Sequence, residues 1–257
     1  MALRMYGALA KYYDLQYSRK DYGAEVRRLE ELVRRFGRSD GMSWLDVACG
    51  TGRHLEILQR RHACTGVDAS PAMLRIARRR LSGVRLVRGD MRTFQLDRQF
   101  DVVSCLFSAI ANLHTERDLG RAFGNLARHL RPGGVAVVEP WILPSRAKPG
   151  HLHLLTRQEP TVTLVRMAQS RLHGRWTVID YRYLIGEPRR GIRYLEETDR
   201  SLMVDSARLQ QLMRRAGLRP RFLARGFSSD RGLLLGVKPL RHGDAVRSPG
   251  GRRRHAA

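Results

Sequence analysis

Leu45-Asp46-Val47-Ala48-Cys49-Gly50-Thr51-Gly52 is the stretch on which the fold turns. A short apolar run enters two closely spaced glycines and leaves in a helical pattern from Leu55 to Arg61. The glycines let the backbone turn tightly and approach a ligand. A dinucleotide fingerprint would place a third glycine at position 55, where Leu55 stands, so the turn suits a ligand without a pyrophosphate. On either side, strand-length apolar runs alternate with helical periodicity. Trp44–Ala48, Cys64–Val67, Val84–Val87 and Phe100–Phe107 read as strands. Helices are predicted over Tyr22–Phe36, Ser70–Leu81 and Glu116–Leu130. Ser70 caps the second of these, with Pro71 at its first position. Arg131-Pro132-Gly133-Gly134 reads as the turn into a fifth strand, Val135–Glu139. Such alternation implies parallel strands with ligands at their C-terminal ends.

Two further acids stand at the ends of the next strands. Gly66-Val67-Asp68-Ala69-Ser70 ends the second, where a carboxylate can accept from both hydroxyls of a ribose. Gly89-Asp90-Met91 follows the third, where Asp90 can accept from an adenine amine and Met91 can cover the ring. Acids often end strands merely as turn formers, but three such pieces in order point to S-adenosylmethionine as cofactor. From Thr161 to Val204 the period changes to two, and Thr161–Val165, Trp176–Ile185 and Ile192–Met203 read as an inserted antiparallel sheet. A helix over Ser206–Ala216 and strands at Phe222-Leu223 and Leu233–Val237 return the chain to the main sheet.

Together these motifs resemble the class I methyltransferases. The flanking stretches are similar to the N,N-dimethyltransferases of nucleotide-linked amino sugars, which serve macrolide biosynthesis. They are Tyr13-Asp14-Leu15, Lys20-Asp21-Tyr22, Met73-Leu74, Phe107-Ser108, Val138-Glu139-Pro140-Trp141 and Arg231-Gly232-Leu233. The resemblance implies an α/β, Rossmann-like seven-stranded methyltransferase fold with an inserted antiparallel β-sheet. It implies that Tyr13 and Tyr22 close over the methionine end of the cofactor, with Ala48, Gly50 and Gly52 at its backbone. Asp68 and Ala69 would meet the ribose, Asp90 and Met91 the adenine, and Met73 and Leu106 would line the pocket. Tyr6, Trp141 and Arg231 would face an anionic nucleotide-sugar substrate. Where those enzymes carry a His or Tyr near the reacting amine, this chain has Asn112, which can orient an amine but not act as a base. Tyr6 and His114 complete the expected catalytic set, His114 as a replacement for the missing histidine. The paired tryptophans of those enzymes are reduced to Trp141-Ile142. Their inserted sheet also builds a dimer, so a homodimer is expected.

The expected organisation is a helical cap over 1–40, a cofactor core over 41–150, the insertion over 151–204, a return over 205–240 and a disordered basic tail over 241–257. The formal charge is +24, and Lys11, Lys20, Lys148 and Lys238 are the only lysines. Nucleic acid is one partner such a charge would suit. The arginines are scattered and not interleaved with aromatics, however, so an arginine-rich composition on solvated helix faces is the favoured reading. The stretch Ser104-Cys105-Leu106-Phe107 also lacks the Asn/Asp-Pro-Pro-Tyr pattern of base-flipping methyltransferases. Cys49, Cys64 and Cys105 show no metal-ligand spacing and no disulfide framework, so no metal is expected. With no apolar window near the roughly 18 residues of a membrane span and no secretory signal, the cytoplasm is the expected compartment.

Overall fold

The computed structural model describes residues 4–39, 41–227 and 231–240. The expected tail, with Arg252, Arg253 and Arg254, lies outside the described residues. In chain order the main elements are α1 (Tyr13–Gln16), α2 (Tyr22–Phe36), β1 (Ser43–Val47), α3 (Arg53–Leu58), β2 (Ala63–Asp68), α4 (Pro71–Arg80) and β3 (Arg85–Arg88). There follow β4 (Phe100–Cys105), α5 (Glu116–Arg128), β5 (Leu130–Val138), β6 (Leu152–Glu159), β7 (Val162–His173), β8 (Trp176–Glu187) and β9 (Gly191–Leu202). The chain closes with α6 (Ser206–Arg215), β10 (Arg219–Leu223) and β11 (Leu233–Val237).

Seven strands form one sheet in the order β10-β11-β5-β4-β1-β2-β3. Strands β1 to β5 pair in parallel, and β11 runs antiparallel between β5 and β10. Neighbouring residues of each central strand feed opposite layers. Trp44, Val102, Val135 and Val137 meet Val26, Leu29 and Leu32 of α2 on one face. Leu45, Val103, Ala136 and Val138 meet Phe123 and Leu126 of α5 and Met213 of α6 on the other. This two-sided burial explains why the central strands read as unbroken apolar runs. The helices start where short polar side chains satisfy free N–H groups. Asp21 accepts from Ala24 N at 2.8 Å, Ser70 from Met73 N at 3.1 Å and Thr115 from Asp118 N at 3.0 Å.

A polar chain crosses the core beneath the glycine turn. Trp44 Nε1 donates to Ser104 Oγ at 2.8 Å, and Ser104 Oγ donates to Asp46 Oδ1 at 2.7 Å. Burial pushes the Asp46 carboxyl up to about 6.

Two expectations of local structure are corrected. Arg131–Gly134 is not a free turn before the fifth strand but a bulge within β5. The pairing with β4 jumps from Phe100↔Leu130 to Val102↔Val135, and the extra residues find partners elsewhere. Gly133, at φ +76°, donates to Lys238 O at 2.9 Å and accepts from Arg38 N at 2.7 Å. The second correction concerns the insertion, which has four strands in the order β6-β7-β8-β9. The sequence reading predicted no strand over Leu152–Glu159. As an edge strand with only Leu155 buried, β6 lacks the alternation that a half-buried strand displays. Met5, Leu9 and Tyr12 pack under this sheet against Leu155, Leu164, Tyr183 and Ile185. The N-terminal tyrosines are thereby held between the inserted sheet and the main domain.

Candidate active site

The two strands at the switch point of the sheet, β1 and β4, both end in left-handed backbone. Ala48 has φ 58°, Phe107 φ 54° and Ser108 φ 53°, and these are the only non-glycine residues in that region among the described residues. Each costs on the order of 1 kcal/mol, and such strain gathers at ligand sites. The two motif glycines differ. A side chain at Gly50 (φ +57°) would meet nothing within 4 Å, so open space adjoins its backbone. A side chain at Gly52 (φ +79°) would lie 2.7 Å from Leu81, so that glycine serves close packing against the segment after α4.

Asp68 closes this turn from the end of β2. Its Oδ2 accepts from Gly50 N at 2.8 Å and its Oδ1 from Ser70 N at 2.7 Å. Each oxygen keeps a lone pair for a further donor. Burial raises the carboxyl's pKa, and the N–H groups of Ser70 and Gly50 oppose that shift. Ala69 beside it is exposed, whereas Met73 and Leu106 are buried. Asp90, after β3, is gripped by its neighbour: Arg92 Nε lies 2.9 Å from Oδ1 and Nη2 lies 2.6 Å from Oδ2. The guanidinium holds the Asp90 carboxyl below its usual range. Met91 is half-buried, and Asn125 fixes its loop by donating to Met91 O at 3.2 Å and Phe94 O at 3.0 Å.

The N-terminal segment is tied over this crevice by contacts that no spacing in the sequence reveals. Asp14 accepts from Thr51 Oγ1 at 2.7 Å and from Arg80 Nη2 at 2.6 Å, joining α1 to the glycine turn and to α4. Ser70 Oγ donates to the Tyr6 carbonyl at 2.5 Å. Lys20 pairs with Glu25, whose other oxygen lies 2.7 Å from His54 Nε2, and the His54 ring meets Tyr22 edge-on at 5.0 Å. Tyr6, Tyr13, Tyr17 and Phe107 form a continuous aromatic run, with ring centroids 6.2, 4.9 and 4.7 Å apart in sequence.

The opposite wall rises from β4, β5 and the inserted sheet. Arg231 lies 4.9 Å over the Trp141 ring, donates to Ser108 Oγ at 3.1 Å and sits 3.7 Å from Glu139 Oε1. Buried Glu139 also accepts from Phe107 N at 2.7 Å, so one carboxylate holds both the strained turn and the arginine. Burial raises the Glu139 carboxyl and nearby Arg231 opposes the rise. Trp141 Nε1 donates to Thr177 Oγ1 at 2.6 Å, locking this wall to β8. Asn112 is a hydrogen-bond partner of Tyr6, while its Nδ2 donates to Ala109 O at 2.9 Å. His114 is exposed and meets Trp176 edge-on at 5.7 Å. Tyr6, Asn112, Trp141 and Arg231 therefore gather at one mouth. Glu139 was legible only as part of a motif, without a role.

Comparison with known proteins places this geometry among relatives. A family model described as "Methyltransferase domain" matches residues 45–134. The chain is 39% identical over 234 residues to the dTDP-3-amino-3,6-dideoxy-alpha-D-glucopyranose N,N-dimethyltransferase of Streptomyces fradiae, covering 90% of this chain and 91% of that one. Among solved structures it is similar to Streptomyces venezuelae DesVI, with a TM-score of 0.83, 37% identity, and coverage of 89% and 98% of the two chains. It is also similar to S-adenosylmethionine-bound CalS10, an amino pentose methyltransferase of Micromonospora echinaspora involved in calicheamicin biosynthesis. That match has a TM-score of 0.78 and 34% identity, with coverage of 93% and 98%.

Proposed function

The chain belongs to the N,N-dimethyltransferases of nucleotide-linked amino sugars, and from that membership we propose how its own residues divide the work. It is an S-adenosylmethionine-dependent methyltransferase that acts on the amino group of a nucleotide-linked amino sugar. Its cofactor supplies an electrophilic methyl on a sulfonium. The residues at the switch point fit that group: open space beside Gly50, a buried Asp68 with unused lone pairs, and glycine spacing without a third glycine. In this reading Tyr13 and Tyr22 cover the methionine end, Ala48, Gly50 and Leu106 line it, and Asp68 and Ala69 hold the ribose. Asp90 and Met91 take the adenine, with Arg92 fixing the Asp90 carboxylate. Met73 supports the pocket from within the core, and Gly52 lets α4 approach.

The observation that carries the acceptor assignment is Arg231, stacked on Trp141 and braced by Ser108 at the mouth of the crevice. A guanidinium held there can meet the phosphates of a nucleotide sugar while the sugar reaches inward toward Tyr6, Asn112 and His114. Orientation of the amine in line with the methyl supplies much of the rate, on the order of 7–11 kcal/mol in favourable cases. Turnover on a deoxythymidine-diphosphate-linked amino sugar, with labelled methyl donor, tests this reading. We place the reaction in the reducing cytoplasm, which the free Cys49, Cys64 and Cys105 suit. No helix among the described residues is long and apolar enough to cross a membrane.

A homodimer through the inserted sheet is part of the same reading. The outer face of that sheet exposes Leu154, Met167, Leu184, Ile192 and Tyr194, with Leu154 opposite Met167 and Leu184 opposite Tyr194. An apolar patch spanning four strands is what an interface needs. Sedimentation at micromolar concentration is expected to give a dimer, and Leu184→Glu with Ile192→Glu to give a monomer. A wild-type monomer would refute the assembly.

A further inference from the structure

Along β9 the residues alternate: Arg193, Leu195, Glu197 and Asp199 are half-buried, whereas Tyr194, Glu196, Thr198 and Arg200 are exposed. Asp199 thus belongs to the face turned toward the main domain. It pairs across the sheet with Ile179, one step along that face from the Ser201↔Thr177 pair on which Trp141 is anchored. Strand β9 packs against the 3₁₀ turn Ala109–Asn112, and Asn112 is bonded to Tyr6. The carboxylate therefore stands where the N-terminal tyrosines, the turn after β4 and the tryptophan wall converge.

The chain has 48 basic and 24 acidic residues, and arginines pair with many of its carboxylates, Asp14, Asp90, Asp118 and Glu139 among them. Among the described residues, no lysine or arginine forms a salt bridge with Asp199. Its own strand supplies the Arg200 N–H and the Ser201 hydroxyl, the latter 3.4 Å from Oδ2. The His114 imidazole from the loop after the turn, the Tyr6 hydroxyl from the N-terminal segment and the Tyr181 hydroxyl from β8 lie within electrostatic range of it. Glu197 lies two residues back on the same face, and the Arg200 guanidinium is turned away over the Trp176 ring. A half-buried carboxylate without a cation partner is costly unless a cation arrives to meet it.

We propose that Asp199 receives the ammonium group of the acceptor, drawing it into the crevice and then taking its proton, an inference that rests on the amino-sugar reading above. The N–H bond breaks and an O–H bond forms on Asp199. The freed nitrogen lone pair bonds to the methyl carbon as the carbon–sulfur bond breaks, its electrons remaining on sulfur as a neutral thioether. The half-buried carboxyl then releases the proton to solvent and is reset for the second methylation. Asn112 and Tyr6 orient the amine without exchanging a proton, which accounts for an amide at a position where a base is absent. Burial raises the Asp199 carboxyl, bringing it nearer the amine whose proton it takes.

The test compares two nucleotide sugars, one with an amine and one with a hydroxyl at the same carbon, binding to the protein saturated with S-adenosylhomocysteine. Wild type is expected to prefer the amine by tenfold or more, and Asp199→Asn to lose that preference. With the methyl donor, Asp199→Asn is expected to lower kcat about a hundredfold, the lower end of what a proton acceptor contributes. Wild-type kcat should fall as pH drops through the carboxyl's pKa, because the protonated acid cannot accept; the variant should lack that limb. Unchanged cofactor affinity certifies the fold, and Asp199→Ser carries the same expectation should the asparagine variant fail to fold. A variant that keeps both the amine preference and the pH limb overturns the inference alone. A wild type that binds neither sugar overturns the amino-sugar reading and the inference with it.

Discussion

Asp68→Ala is expected to weaken S-adenosylmethionine binding about a hundredfold while leaving the domain folded. The carboxylate sits at the end of β2 with one lone pair on each oxygen committed to backbone N–H groups, from Gly50 and Ser70. The remaining lone pairs are placed for the two ribose hydroxyls. A hydrogen bond to a charged group contributes about 1.5–3 kcal/mol, so losing this pair amounts to roughly 3 kcal/mol, or about two orders of magnitude in Kd. Alanine also leaves the Gly50 N–H without its partner, which loosens the glycine turn and acts in the same direction. Calorimetry with circular dichroism on the same sample checks both halves. A folded variant with wild-type affinity would remove Asp68 from the site.

Arg231→Ala is expected to raise the Michaelis constant for the acceptor ten- to hundredfold, with cofactor affinity almost unchanged. The range follows from one desolvated, charge-assisted contact to a phosphate, about 1.5–3 kcal/mol. The separation of effects follows from geometry. Arg231 touches Trp141, Ser108 and Glu139 on the acceptor wall, whereas Gly50, Asp68 and Asp90 lie at the ends of β1, β2 and β3. Replacing Arg252, Arg253 and Arg254 together by alanine, by contrast, should leave turnover untouched. If the tail variant loses activity and Arg231→Ala keeps it, the positive charge serves a polyanion, and RNA becomes the better acceptor. Salt dependence of RNA binding would then be steep.

How much of this was legible before folding depends on how local each signal is. Strands β1, β2, β4 and β5 are largely buried on both faces, so their apolar runs stand out in the sequence, as do Gly50 after β1 and Asp68 at the end of β2. Helices α2, α4 and α5 were equally plain, α2 from the helical spacing of Val26, Leu29 and Leu32 and α4 from the cap at Ser70, which acts within three residues of itself. Strand β6 was not, since a sheet edge that buries only Leu155 imposes no alternating pattern. The clamp through Asp14 was hidden for another reason. Its partners Thr51 and Arg80 lie 37 and 66 residues away, and no spacing rule connects them. Glu139 could be quoted within a motif, but its hold on Phe107 and Arg231 exists only once β4, β5 and the chain before β11 converge. Asp199 was not legible either, because the same face of its strand also carries Arg193 and Glu197 and no one charge stands out.

The central claim is that the crevice at β1 and β4 joins a methyl donor to the amine of a nucleotide-linked sugar. Mass spectrometry of a single reaction mixture tests it most directly. Purified protein and S-adenosylmethionine are offered, together, a deoxythymidine-diphosphate-linked amino sugar, its hydroxyl counterpart and total RNA. The account predicts that only the amino sugar gains mass, in two successive steps of one methyl each. Methyl groups on the hydroxyl sugar or on RNA, with the amino sugar unchanged, would contradict it.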